Sequence, residues 1–205
     1  WGRAGNLEQV ELMVYQLEAA GVRVSTLIHN TLAITYCKVG QVVKVGDMVR
    51  MMEEAGIPVT LHIGSGQNMP SAYMNTGVER ALEGNLGNIE TTRPKDLTVI
   101  HHSIERWLTC MIYDGVLERF PALKVGLVEL GANWVPASLM NLDMGVSLLG
   151  KFDTGLKKLT LKPSEYFQRQ GRVTPLHTEN TGWILRNVGK DILMFNTDYP
   201  HPEGG

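Results

Sequence analysis

The residues of this sequence that could bind a metal ion or move a proton in an active site are His62, His101, His102, Glu129, Asp198 and His201. Imidazole nitrogen together with carboxylate oxygen is the ligand set of a catalytic zinc, iron or manganese ion. Such an ion keeps one coordination position open, where bound water is activated near neutral pH. A carboxylate beside both the ion and the water, such as Asp198, can bind the metal and also accept the proton of the water.

The placement of these residues along the chain is more informative than their number. Each of the predicted strands that precede them is apolar and changes to a metal-competent or ionisable residue at its last positions. A single histidine at a strand end is more often a hydrogen-bonded structural residue than a ligand. The same change at four successive strand ends favours an active site, because parallel α/β folds carry their chemistry at the carboxyl ends of the strands.

The elements that would position these side chains alternate between helix and strand. Apolar runs predict strands at residues 22–28, 57–63, 97–101, 123–129 and 192–197. Helical spacing of apolar residues predicts helices at residues 7–20, 47–55, 104–112, 134–142 and 178–188. Residues 30–46 fit a loop or a short strand, and residues 143–175 form a longer excursion.

This alternation predicts an α/β fold of parallel βα units with right-handed crossovers. About five units are visible, whereas a (β/α)8 TIM barrel needs roughly 250 residues. We therefore expect the C-terminal five βα units of such a barrel, in one domain over residues 1–205. That domain is expected to lack its N-terminal strands and its C-terminal end, since the chain begins at Trp1 without a methionine and stops at Gly205.

Composition excludes several classes of protein. Apolar residues make up 43% of the chain and charged residues 20%, which is typical of a globular domain. A formal net charge of −2 gives no reason to expect nucleic acid or a membrane surface as a partner. No apolar stretch approaches the ~18 residues of a membrane span. Cys37 and Cys110 do not form a disulfide framework, so we expect reduced thiols in a cytoplasmic protein.

Four stretches of the chain carry a resemblance to a known family. They are Gly115–Val125 continuing through Gly126–Pro136 to Asn141–Asp143, Pro163–Phe167, Thr197–Gly204, and His62–Gly64. In combination they resemble the amidohydrolase-related family, in the branch that includes aminocarboxymuconate semialdehyde decarboxylase. The resemblance covers most of residues 47–205 and implies a metal-dependent TIM-barrel enzyme with a small-molecule substrate, and it leaves a homo-oligomer open.

The resemblance also implies roles for single residues. His62 would be the metal ligand of the fifth strand, and Asp198 the metal ligand and proton acceptor of the eighth. The histidine of the sixth strand, an acid/base or substrate-polarising group, would be His102 or His101, and we prefer His102. Glu129 would point into the site from the seventh strand. A further histidine, His201, would line the rim of the site.

Departures from the family pattern limit these expectations. The first-strand His-x-His pair is absent from this sequence, and no lysine ends the predicted strand 22–28. We therefore expect one divalent ion, with Zn2+ preferred and Fe2+ or Mn2+ open. The function expected is a hydrolase that activates water on the metal to attack a carbonyl. The alternatives are a decarboxylase of the same family and a non-catalytic barrel used for binding.

Overall fold

The computed structural model describes residues 6–22, 24, 26–63, 69–73, 77, 94–197 and 199. The chain divides into two compact units, Trp1–Ile57 and Pro58–Gly205. A single barrel domain over residues 1–205 stays a prediction. Among the described residues, no helix combines the length and apolar character that a membrane crossing requires.

In the part of the first unit that the structure describes there are three helices, α1 (Leu7–Ala19), α2 (Thr26–Lys38) and α3 (Val42–Glu54). Its core is formed by Val10, Val14, Leu32 and Tyr36. The strand predicted over residues 22–28 is wrong: Val22 and Val24 are not in a strand, and the last three residues begin α2. Ile28, Leu32 and Tyr36 recur every four residues and all pack into this core. The helical spacing therefore prevails over the β-branched composition of the segment.

The second unit is built on a parallel three-stranded sheet in the order β1-β2-β3. Its strands are β1 (Val59–His62), β2 (Val125–Val128) and β3 (Gly171–Val173). The predicted strands at residues 57–63 and 123–129 are thus confirmed. The sequence did not predict β3, because it has only three residues and a polar Arg172 at its centre. Of the predicted strand 192–197, the structure retains one bridge between Leu193 and Val173.

The described residues of this unit form six α-helices: α4 (Pro94–Leu97), α5 (His102–Tyr113), α6 (Val116–Arg119), α7 (Val135–Leu149), α8 (Pro163–Gln170) and α9 (Thr181–Val188). The strand predicted over residues 97–101 is wrong, because Leu97 ends α4 and the next four residues form turns. The N–H of Val99 donates to the Asp96 carbonyl at 3.1 Å, and that of His102 to the Val99 carbonyl at 3.0 Å. The periodicity of so short a run does not distinguish a strand from other local structure.

The sheet register changes the expected strand numbering. β1 and β2 are hydrogen-bonded neighbours, with Val59 opposite Val125 and His62 opposite Val128. No strand lies between them, so if β1 is the fifth barrel strand, β2 is the sixth and β3 the seventh. On that numbering Glu129 follows the sixth strand, for which the resemblance implies a histidine, and not the seventh. The expectation that His101 or His102 ends a strand is wrong, because His101 lies in a turn and His102 begins α5.

Candidate active site

Neighbouring strands bring His62 and Glu129 together at the carboxyl edge of the sheet. His62 is the last residue of β1 and pairs with Val128 of β2. Glu129 directly follows Val128. The Nε2 atom of His62 lies 2.6 Å from Oε2 of Glu129. The glutamate side chain is only 7% exposed, whereas the histidine side chain is 60% exposed. A buried carboxylate is thus approached by an imidazole that remains open to solvent.

The second nitrogen of His62 determines what can lie between these two groups. Nδ1 lies 2.9 Å from the carbonyl oxygen of Ile63. A carbonyl oxygen only accepts hydrogen bonds, so Nδ1 carries a proton. In a neutral ring Nε2 would then present its lone pair to the lone pairs of the Glu129 carboxylate. At 2.6 Å the two atoms either share a proton or face a common cation, so the pair is a candidate for binding a metal ion.

The backbone of Glu129 is held in an unusual conformation. Its φ angle is 63°, and it is the one non-glycine residue with positive φ in the described part of the chain. Its N–H donates to Oγ1 of Thr174 at 2.8 Å, and Thr174 directly follows β3. The Glu179 carboxylate accepts N–H bonds from the same turn, at Ala132 and Asn133. Neither supporting side chain was predicted as functional, because nothing in the local sequence marks a contact across more than 40 residues.

His101, His102 and Glu105 form a second group of metal-competent side chains, whose ligand atoms lie within 4.8 Å of one another. His101 precedes α5 and His102 begins it. The His101 ring stacks parallel to the Trp134 indole at 6.1 Å between ring centroids. Burial lowers the pKa of His101, and His102 lowers it further, although Glu105 and Glu179 oppose the shift. His101 therefore favours its neutral form, which can act as a ligand or hydrogen-bond partner.

The two remaining predicted site residues, Asp198 and His201, lie outside the described residues. Their roles as metal ligand with proton acceptor and as rim residue stay predictions. The chain approaches that region along the sheet, since Leu193 bridges to Val173 of β3. The structure therefore brings together His62 and Glu129, and separately His101 and His102.

Comparison with known sequences gives one family. The amidohydrolase family model matches residues 38–205 of this chain. No curated protein sequence matches this chain. The resemblance seen in the four sequence stretches is thereby confirmed.

Solved structures of three proteins share the fold. An amidohydrolase from Mycobacterium avium subsp. paratuberculosis K-10 is 20% identical over 86% of this chain and 38% of its own, with a TM-score of 0.58. The 5-carboxyvanillate decarboxylase of Sphingomonas paucimobilis is 24% identical over 76% of this chain and 43% of its own, with a TM-score of 0.51. A dihydroxybenzoic acid decarboxylase from Polaromonas sp. JS666, with bound manganese and the inhibitor 2-nitroresorcinol, is 19% identical over 78% of this chain and 44% of its own, with a TM-score of 0.50.

These likenesses confirm the predicted α/β fold of (β/α)8-barrel type. The chain spans less than half the length of each of these three proteins.

Proposed function

This chain belongs to the amidohydrolase family, and from that premise we propose that it provides His62 and Glu129 to the divalent-metal site of a hydrolase. The observation that carries the proposal is the contact of 2.6 Å between Nε2 of His62 and Oε2 of Glu129. With Nδ1 of His62 donating to a carbonyl, both facing atoms are available to one cation. Asp198 is proposed as a further ligand on the resemblance of its motif.

The side chains present fit a divalent ion by several criteria. Imidazole and carboxylate are the donors that zinc, iron and manganese share. A hydrogen bond from Nδ1 to a backbone carbonyl fixes the ring and directs Nε2 outward, as in many metal-ligating histidines. The pair also lies at the carboxyl edge of the parallel sheet, where barrel enzymes build their sites. We propose zinc, with iron or manganese as the other candidates.

Each residue then has a defined task in hydrolysis of a carbonyl-type substrate. A divalent ion, when bound, supplies a hydroxide-like water at neutral pH and polarises the carbonyl. Glu129 offers a carboxyl group on a side chain that is only 7% exposed. His62 keeps its ring orientation through Ile63. Asp198 accepts the proton of the attacking water.

Decarboxylation is the second candidate. Two of the three solved structures described above carry names of decarboxylases of aromatic acids. In such a reaction the ring carbon that bears the carboxylate is protonated, and the bond to carbon dioxide then breaks. The same metal-binding residues would orient the carboxylate, so the two reactions differ in what is protonated rather than in the metal site.

One experiment tests the enzyme proposal and separates the two reactions. The full-length protein is stripped with a chelator, reconstituted with Zn2+, Mn2+ or Fe2+, and assayed against esters, lactones and amides and against hydroxylated aromatic acids. Metal-dependent hydrolysis without carbon dioxide release supports the first candidate, and carbon dioxide release from the acids replaces it with the second. If the purified protein contains no transition metal and binds none after reconstitution, the metal-dependent function is wrong and the binding-barrel alternative is favoured.

A further inference from the structure

We propose that Thr174 and Glu179 position the Glu129 carboxylate. Residues 174–179, the segment after β3, would then control the metal affinity of the site without providing a metal ligand. The inference rests on the proposed function, since it concerns the same His62–Glu129 pair. It names two positioning residues that do not touch the reacting atoms. Their action is through the backbone of the turn that carries Glu129.

Thr174 links β3 to the strained residue directly. Its own N–H donates to the Leu127 carbonyl at 2.9 Å, which extends the β2–β3 pairing by one residue. Its hydroxyl oxygen accepts the N–H of Glu129 at 2.8 Å, and both residues are buried. A glutamate at a φ of 63° occupies the left-handed region that L-residues avoid, so the surrounding structure must hold it there. Thr174 provides the buried hydrogen bond that does so.

Glu179 holds the other end of the same turn. Its Oε1 accepts the N–H of Asn133 at 2.9 Å, and its Oε2 accepts the N–H of Ala132 at 2.8 Å. Gly131 lies between this anchor and Glu129, and a Cβ there would lie 2.8 Å from the Glu179 carboxylate. The φ of Gly131, 66°, favours glycine there, and an added Cβ would force the Glu179 carboxylate to shift. One carboxylate thereby ties the residues after Glu129 to the segment that also carries Thr174.

Neighbouring strands therefore have different roles in the proposed site. β1 and β2 present the two groups that meet at 2.6 Å, and the segment after β3 fixes the backbone from which one of them extends. Without the Thr174 hydroxyl, the Glu129 N–H would lose its buried acceptor, and the turn would relax toward a common backbone conformation. The carboxylate would then no longer be held against His62. Supporting partners of this kind typically change metal affinity about 10- to 100-fold.

The test compares Thr174→Val with Thr174→Ser in the full-length protein. Valine keeps the shape and removes the acceptor, whereas serine keeps the hydroxyl. Zinc affinity is measured by competition with a chromophoric chelator, and the 15N signals of His62 are followed by NMR as a second readout. Thr98→Val, at an exposed site, controls for the substitution itself. We expect Thr174→Val to weaken zinc binding about 10- to 100-fold and to move the His62 Nε2 signal, and Thr174→Ser to restore both.

The outcomes separate this inference from the proposed function. If Glu129→Gln weakens zinc binding and Thr174→Val does not, the positioning role is wrong and the metal site stands. If Glu129→Gln itself leaves zinc binding and the His62 signal unchanged, the proposed site is wrong. Should Thr174→Val fail to fold, Glu179→Gln gives the same test, because an amide offers one acceptor oxygen where the carboxylate offers two. Unchanged zinc affinity in Glu179→Gln would then overturn the inference.

Discussion

Replacing Glu129 by glutamine is the perturbation whose result the structure constrains best. The side chain keeps its size and loses its charge, while the backbone hydrogen bond to Thr174 stays possible. We expect a lower affinity for divalent metal, because the group that faces His62 Nε2 at 2.6 Å becomes a neutral amide. The fold should survive, since the change is nearly isosteric.

The size of the effect follows from the exposure of the two partners. Breaking a fully buried ion pair costs about 3–5 kcal/mol, because the remaining charge is stranded. Here the carboxylate is 7% exposed but the imidazole is 60% exposed, so water can compensate on the histidine side. We therefore expect a smaller loss of about 1.5–3 kcal/mol in metal binding, which corresponds to roughly 10- to 150-fold in dissociation constant.

The assay is isothermal titration of the chelator-treated protein with zinc, together with thermal unfolding to confirm the fold. Glu105→Gln is the matched control, since it removes the same charge from the other metal-competent group at the start of α5. We expect this control to bind zinc as the unchanged protein does. The reasoning is refuted if Glu105→Gln weakens zinc binding and Glu129→Gln does not, because the ion would then bind beside His101 and His102.

Further predictions concern stability and titration. Tyr166→Phe should lower the free energy of unfolding by about 1–3 kcal/mol, because the buried Tyr166 hydroxyl donates to Glu118 and accepts two backbone N–H bonds. Calorimetry measures this loss, and an unchanged free energy of unfolding would contradict it. The Tyr166 hydroxyl lowers the pKa of Glu118 below 4.5. The stabilisation of the fold by this hydrogen bond is therefore present above pH 4.5 and is lost as the pH falls through the folded-state pKa. NMR titration of the carboxyl groups should find a higher pKa for Glu118 in Tyr166→Phe. Burial and the neighbouring Glu11 carboxylate raise the pKa of Tyr36 to about 12. The contribution of Tyr36 to stability is therefore present below pH 10 and is lost as the pH rises toward 12. An absorbance titration of tyrosinate in which every tyrosine has a pKa near 10 would contradict this. Gly131→Ala should lower the free energy of unfolding by about 1–3 kcal/mol, because φ is 66° and the new methyl group would lie 2.8 Å from the Glu179 carboxylate. A urea unfolding midpoint equal to that of the unchanged protein would contradict this prediction.

Sequence patterns predicted the elements whose pattern is local and long enough to be distinctive. The strand that ends at His62 and the strand before Glu129 were found because each is apolar and flanked by turn residues. The prediction for residues 97–101 was wrong because a run of five residues with three apolar ones has no distinguishing period. β3 was missed for the opposite reason, since its three residues include a charged one.

The site was predictable in its residue types and only partly in its arrangement. His62 was expected at a strand end and lies there. The position of Glu129 depended on knowing that β2 is the direct neighbour of β1, which no spacing in the sequence reveals. Its left-handed backbone and its bond to Thr174 arise from contacts 45 residues apart. Such tertiary constraints leave no local pattern, so they become visible only once the strands are paired.

The most direct test of the central claim is 15N NMR of the histidines in the full-length protein, recorded with zinc and again after removal of the metal. The account predicts that the Nε2 signal of His62 moves to the range of a metal-bound nitrogen when zinc is added, while its Nδ1 stays protonated against the Ile63 carbonyl. It also predicts that His102 keeps its metal-free signal. A His62 spectrum that does not respond to zinc would contradict the proposed metal site.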